Sequence, residues 1–180
     1  MGKNGQVYAF EPEQYNFNLL KENITLNNYN NVQIEQVAVS NFNGKATLHI
    51  SKNKTGMHRL HQSVYCENST EVDVLKIDDY LMKKNIKKID FIKIDVEGAE
   101  LDVLQGMINT IIQNKVKLLL EFIPENLVEH MAIPMELLKF LTDHNFEIHA
   151  IENGEFYKLN DLNKISNSYM GKNLFCVKIN

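Results

Sequence analysis

Cysteine and proline are scarce in this sequence, long apolar runs are missing, and positive charge is in deficit. Each shortage excludes something. The two cysteines, Cys66 and Cys176, lie far apart and form no metal-ligand spacing, so free thiols in a reducing cytosol are expected. No Pro, Gly or Ser-rich stretch forms a linker, and one domain over residues 1–180 is the expectation. No apolar run approaches the roughly 20 residues of a membrane helix. Met1-Gly2-Lys3-Asn4-Gly5 lacks the charged-then-apolar order of a signal peptide, and Gln6 stands where a myristoylation motif wants Ser or Thr. A cytoplasmic location follows as an expectation. Lys and Arg number 19 against 23 Asp and Glu, for a net charge of −4. The single basic stretch, residues 83–88, reads as a solvated turn, so nucleic acid is not an expected partner.

What is present is a 44% hydrophobic fraction whose periodicity alternates between strand and helix, the mark of an α/β domain. Residues 6–10 form an apolar run closed by Glu11-Pro12, where a strand stops and a helix can begin. Over 13–27, Tyr15, Leu19, Leu20, Ile24 and Leu26 fall mostly on one helical face. Residues 32–39 read as one strand, and Asn43-Gly44 precedes a hairpin strand over 45–50. Residues 51–70 are polar and irregular, a candidate lid or binding loop. An extended segment over 72–77 and a short helix over 79–84 follow. The strongest strand, 89–94, ends at Asp95, and Gly98 opens a helix carrying Leu101, Leu104, Met107, Ile108, Ile111 and Ile112. A strand over 116–120, a helix over 134–144 and strands over 147–151 and 174–179 complete a doubly wound sheet with mixed strands towards its end.

Ligands of open α/β sheets bind outside the carboxyl ends of the strands, where this reading places Glu11, Asp95 and Glu121. A carboxylate at the position of Glu11 can accept bonds from both hydroxyls of a ribose; it can equally serve as a helix N-terminal acid. Asp95-Val96-Glu97-Gly98-Ala99-Glu100 holds more carboxylates than a packed turn requires. An unpaired charge at the end of a buried strand is costly, so Asp95 should face a cleft, a cation or a hydroxyl. Glu100 reads as a helix-start acid. Glu121 can neighbour Asp95 across the sheet, and such a pair can raise one pKa to make a general base or bind a metal ion. His58, in the polar loop beside Arg59 and His61, is a candidate proton acceptor. His130, His144 and His149 read as ordinary surface residues.

Several of these segments resemble the FkbM family of methyltransferases. The resemblance runs through Val7-Tyr8-Ala9-Phe10-Glu11-Pro12, Ala38-Val39-Ser40, Leu75-Lys76-Ile77-Asp78-Asp79-Tyr80-Leu81 and Leu118-Leu119-Leu120-Glu121. Its most specific piece is Asp90-Phe91-Ile92-Lys93-Ile94-Asp95-Val96-Glu97-Gly98-Ala99-Glu100. The resemblance implies a class I, Rossmann-like methyltransferase fold that transfers methyl from S-adenosylmethionine to a hydroxyl of a sugar or other small molecule. It implies that Glu11 holds the ribose with Pro12 beside it, that Ala38 and Val39 border the adenine, and that Asp95, with Glu97 close by, faces the methionine end or the acceptor. The loop residue His58 joins Asp95 and Glu97 as a candidate for the chemistry on its own residue type.

One departure stands out. The family opens with a strand and an Asp-x-Gly-x-x-x-Gly loop that wraps the methionine end of the cofactor, whereas this sequence starts at the turn that ordinarily follows them. Met1 is therefore read as an internal methionine, and the missing strand is expected between those ending at Glu11 and Asp95. The alternatives are a catalytically inactive truncated domain, a half-domain completed by another chain, and a nicotinamide-dependent dehydrogenase. The last gives Asp95 to Glu100 no role.

Overall fold

The computed structural model describes residues 2, 4–51, 56–62, 66–168 and 171–179. Met1, expected to be internal, lies outside them, as do positions 52–55 and 63–65 of the polar loop. The chain forms two compact units, Met1–Leu75 and Lys76–Asn180.

In the first unit, β1 (Val7–Phe10) stops short of Pro12, which has no amide to continue a ladder. The helix α1 (Gln14–Leu26) starts on a cap: the Glu13 carboxylate accepts the Asn16 amide at 2.7 Å. The strand β2 (Val32–Glu35) then returns parallel to β1, with Val7 opposite Val32. The single strand expected over 32–39 is broken. After Glu35 the chain leaves β1, and β3 (Ala38–Val39) pairs instead with Val74 and Leu75 of a second sheet. That sheet is completed by the antiparallel pair β4 (Gly44–Ser51) and β5 (Cys66–Leu75). Residues 66–70, expected in the polar loop, are strand, because β4 pairs with them from Ser51 to Leu48, with a bulge between Ile50 and Ser51. Arg59, inside the remaining loop, exchanges both backbone bonds with His49 at 2.7 and 3.0 Å.

Ala38, Leu48, Val72 and Val74 make the core of this unit, packed against Ala46, Ile50 and Leu60. Ala46, Leu48 and Ile50 of β4 and Val72 and Val74 of β5 occupy alternate positions, as the two-residue period of a strand requires, and Ala38 joins them from β3. By contrast, no residue of α1 is buried, and Tyr15 and Leu26 of its expected apolar face are exposed.

The second unit opens with α2 (Ile77–Lys83), β6 (Phe91–Ile94), α3 (Glu100–Gln105) and α4 (Ile108–Gln113). It continues with β7 (Lys117–Phe122), α5 (Pro124–Glu129) and α6 (Pro134–Asp143). The hairpin β8 (Phe146–Glu152) and β9 (Glu155–Lys158), then α7 (Leu162–Ser166) and β10 (Lys172–Lys178), complete it. The sheet runs β6-β7-β10-β8-β9. Only β6 and β7 are parallel; the last chain segment, β10, inserts antiparallel between β7 and β8. Leu118, Leu120, Phe122, Leu174 and Cys176 are wholly buried in it, beneath Leu104, Met107, Ile111 and Leu141 from the helices. Burial pushes the Cys176 thiol up to about 12, which keeps it protonated and inert. Among the described residues no helix is long and apolar enough to cross a membrane.

The helix expected from Gly98 through Ile112 is two helices. Its apolar stripe is unbroken, but the chain turns at Gly106-Met107 because Asp78 supplies a cap for α4 from outside. The Asp78 carboxylate accepts the amides of Asn109 and Thr110 at 2.8 Å each and the Thr110 hydroxyl at 2.7 Å. Its own amide donates to the Gly106 carbonyl. The histidines expected at the surface are also engaged. His130 Nε2 lies 2.9 Å from Asp102 Oδ2, and His149 Nε2 lies 3.2 Å from Glu147. Asp78→Ala should lower stability by about 1–2 kcal/mol in denaturant unfolding, while Asp79→Ala, which loses one partly exposed ion pair to Lys76, should change it by less than about 0.5 kcal/mol.

Candidate functional site

Beyond Ile94 the backbone turns through two unusual residues, Glu97 with φ +55° and Gly98 with φ +108°. Position 98 admits only glycine. A Cβ there would meet the Asn126 carbonyl oxygen at 2.4 Å, so the first turn of α5 is seated directly on this bend. The bend is held from inside by Glu100, which is 2% exposed. Its Oε1 accepts the Gly98 amide at 3.1 Å and the Val96 amide at 3.3 Å. Burial raises its pKa, and the backbone amides oppose that rise. Glu100 is thus more than a helix-start acid: it is the strut of the turn.

This bend brings together three of the residues singled out from the sequence. Ile94 is registered with Leu120 across the parallel pair β6–β7, which sets Asp95 beside Glu121. Asp95, Glu97 and Glu121 each place one carboxylate oxygen within 4.8 Å of the others. Among the described residues this is the one group of three or more acidic, His or Cys side chains gathered closely enough to hold a cation. Three carboxylates at that spacing repel strongly unless their charge is met. Lys93 Nζ donates to Asp95 at 2.5 Å, and the Asn126 side-chain amide donates to Glu97 at 2.9 Å. Glu121 is pushed up to about 7, first by burial and then by the charges of Asp95 and Glu97, and it shares a hydrogen bond with Asp95. It lies inside β7, opposite Asn173 of β10, rather than beyond the strand end.

The other expected site residues belong to the first unit. Glu11 follows β1 directly; its amide donates to the Glu35 carbonyl, and its Oε1 accepts the Glu13 amide at 2.8 Å. Burial raises the Glu11 pKa, against the Glu13 amide, which lowers it. Pro12 is half-buried beside it. Ala38 is buried among Leu48, Val72 and Val74, and Val39 is half-buried. The His58 pKa is lowered by burial, with the charge of Glu13 acting the other way, so His58 sits in the field of the residue that caps α1. Its Nδ1 accepts the Ser51 amide at 3.2 Å.

The family model described as "Methyltransferase FkbM domain" matches residues 1–148. The chain belongs to the FkbM methyltransferase domain family. This FkbM domain is 28% identical over 120 residues to Methyltransferase 1 of Beauveria bassiana, a match spanning 56% of the chain and 48% of that protein. The chain thus spans about half the length of this curated relative. The crystal structure of methyltransferase FkbM from Methylobacillus flagellatus superposes with a TM-score of 0.54 at 17% identity, over 95% of the chain and 36% of that structure. SMU.1697c of Streptococcus mutans, crystallised in complex with SAH, superposes with a TM-score of 0.50 at 12% identity, over 97% of the chain and 76% of that structure. At these identities the likeness is one of fold, and it bears out the class I, Rossmann-like expectation.

Asn126 was not legible as part of this FkbM site. The only sequence signal is Pro124, which marks a helix start just beyond Glu121 and so places the first turn of α5 close to the bend. Gly98→Ala should cost at least about 2 kcal/mol in thermal or denaturant unfolding, through the clash and the positive φ together. For Glu121 the folded form binds a proton more tightly than the unfolded one, so stability should fall as pH rises from about 4.5 to 7. Glu121→Gln should flatten that slope and stabilise the domain at pH 8 by about 1 kcal/mol, a figure reduced for the partial exposure of the group; unfolding midpoints of both proteins at pH 5 and 8 test it.

Proposed function

We propose that this domain is the core of an S-adenosylmethionine-dependent O-methyltransferase acting on a hydroxyl of a sugar or other small molecule. The observation that carries the reading is the carboxyl group of Glu121, set beside Asp95 and Glu97 at the carboxyl edge of a parallel strand pair and pushed up to about 7 by burial and then by those neighbours. A base works best when its pKa lies near the working pH. The family membership supplies the reaction class, and the SAH bound in the Streptococcus mutans relative supports the choice of cofactor.

When bound, S-adenosylmethionine supplies an electrophilic methyl group, and the protein's task is to position an acceptor oxygen and remove its proton. Glu121 takes the hydroxyl proton. Asp95 and Glu97 orient the acceptor by accepting hydrogen bonds, and fixing the nucleophile in this way contributes much of the rate. Glu11 fits the cofactor's ribose. It is a half-buried carboxylate just past a strand end, and its Oε1 accepts the Glu13 amide. Pro12 lies beside the ribose, and Ala38 and Val39 border the adenine, with Val39 offering the accessible surface. His58 is the weaker candidate base. With Nδ1 accepting the Ser51 amide, the neutral ring carries its proton on Nε2 and is set to donate.

A second reading, a half-domain completed by another chain, is favoured by one observation. Among the described residues β1 pairs only with β2, and β6 only with β7, so each strand keeps one unpaired edge. Calorimetric titration of S-adenosylhomocysteine into the folded chain separates the two. Saturable binding, weakened by about 1–3 kcal/mol in Glu11→Ala, is the expected result. Unchanged affinity in that variant removes the ribose assignment, and no binding by a folded chain favours the second reading. Binding of a nicotinamide dinucleotide in place of S-adenosylhomocysteine would overturn both.

A further inference from the structure

Each carboxylate of the Asp95, Glu97 and Glu121 group meets a different compensating partner. Asp95 has the Lys93 ammonium at 2.5 Å. Glu97 has the Asn126 side-chain amide at 2.9 Å. Glu121 has Asp95 itself, through a shared hydrogen bond. Two of the three are therefore stabilised as anions by a donor that cannot accept a proton in return, and the third is left facing another carboxylate. Coupled carboxyls titrate as a group, and the site that binds the proton is the one whose anion is least supported.

We propose that Asn126 is a positioning residue that assigns the exchangeable proton of this group to Glu121, by holding Glu97 as an anion. The inference rests on the reading in which Glu121 takes the acceptor's proton, and it names the residue that makes Glu121 the base. Asn126 is suited to the task. It is 8% exposed, it lies in the first turns of α5, and its backbone carbonyl is seated against Gly98. The same contact that admits only glycine at 98 therefore fixes the distance between the Asn126 amide and Glu97. The left-handed backbone at Glu97 turns its side chain to that amide.

The charged groups around Glu121 are few. Asp95 and Glu97 act on it from the bend after β6, and Glu100 acts from the strut. Lys93 reaches it through Asp95. On the β10 side its register partner is the uncharged Asn173, and the neighbouring Lys172 is engaged by Glu152.

The test is a carbon-detected NMR titration of the side-chain carboxyls of the whole chain, native and Asn126→Ala, with Asn126→Gln as the conservative control. In the native protein the proton step near pH 7 is expected on the Cδ of Glu121. In Asn126→Ala about a third of that step should move to the Cδ of Glu97, and Asn126→Gln should restore part of it to Glu121. Lys93→Met supplies an independent arm should Asn126→Ala fail to fold: with the ammonium beside Asp95 gone, the Glu121 step should move to higher pH. A Glu97 that stays silent near neutrality in a folded Asn126→Ala, or a native Glu121 that titrates as an ordinary carboxylate, overturns the proposal. S-adenosylhomocysteine affinity is measured on the same samples. Loss of that binding with the proton shift intact would count against the methyltransferase reading while leaving the assignment of Asn126 standing.

Discussion

Glu100 is a carboxyl group taken almost wholly out of water, and the geometry beyond β6 depends on how that burial is met. Removing an ionised carboxylate from solvent without partners costs several kcal/mol. Here two backbone amides of the same turn, Val96 and Gly98, point inward to it. The turn can present those amides only if residues 97 and 98 take positive φ, and position 98 can do so against α5 only as glycine. One buried acid thus dictates the backbone angles, the glycine and the seating of the next helix. The outward-facing carboxylates of Asp95 and Glu97 are a result of the same turn.

The arrangement also explains why so many acids gather at one strand edge without tearing it open. Repulsion among like charges a few ångströms apart is large in partly buried surroundings. The structure answers it with an ammonium at Asp95 and an amide at Glu97, while burial and the neighbouring charges push Glu121 up to about 7. Both answers are local, and they come from different elements, β6 and α5. The contact at Glu97 is held by packing, since the Asn126 amide that meets it stands in the first turn of α5, seated against Gly98.

How much of this was readable follows from range. The strands at 7–10 and 91–94, the helix at 134–143 and the acidic strand edge were legible, because apolar period and a flanking Pro or Gly are local signals. The break between β2 and β3 was not, since two polar residues, Glu35-Gln36, are a weak signal in a short strand-like stretch and the separate partners of the two strands divide it. The split at Gly106-Met107 was hidden likewise: the stripe of Leu104, Met107, Ile108 and Ile111 carries on through it, and the cap that ends it comes from Asp78, some 30 residues earlier (Asn109 to Asp78, |i−j| = 31). Asn153-Gly154 is a strong hairpin signal that the alternation of its flanks obscures; both residues take positive φ, as that turn demands. At the site, the proximity of Asp95 and Glu121 was legible from strand order, whereas Asn126 required the position of a helix that a single Pro only hints at.

The first unit carries a consequence of a different kind. Its core is confined to the β3–β5–β4 sheet, and the β1–α1–β2 segment contributes no buried side chain to it. What ties that segment down is polar: the Glu13 cap, the Glu11 bond to the Glu13 amide, and Asn31 reaching the Gly5 carbonyl. Segments with little buried apolar area open at low free energy, well below the global value. Glu11 therefore stands on a segment with little buried apolar area, and any ligand gripping that carboxylate gives up part of its binding energy to hold the segment in place. Affinity at Glu11 and protection of the α1 amides from exchange are, on this account, two readings of one equilibrium.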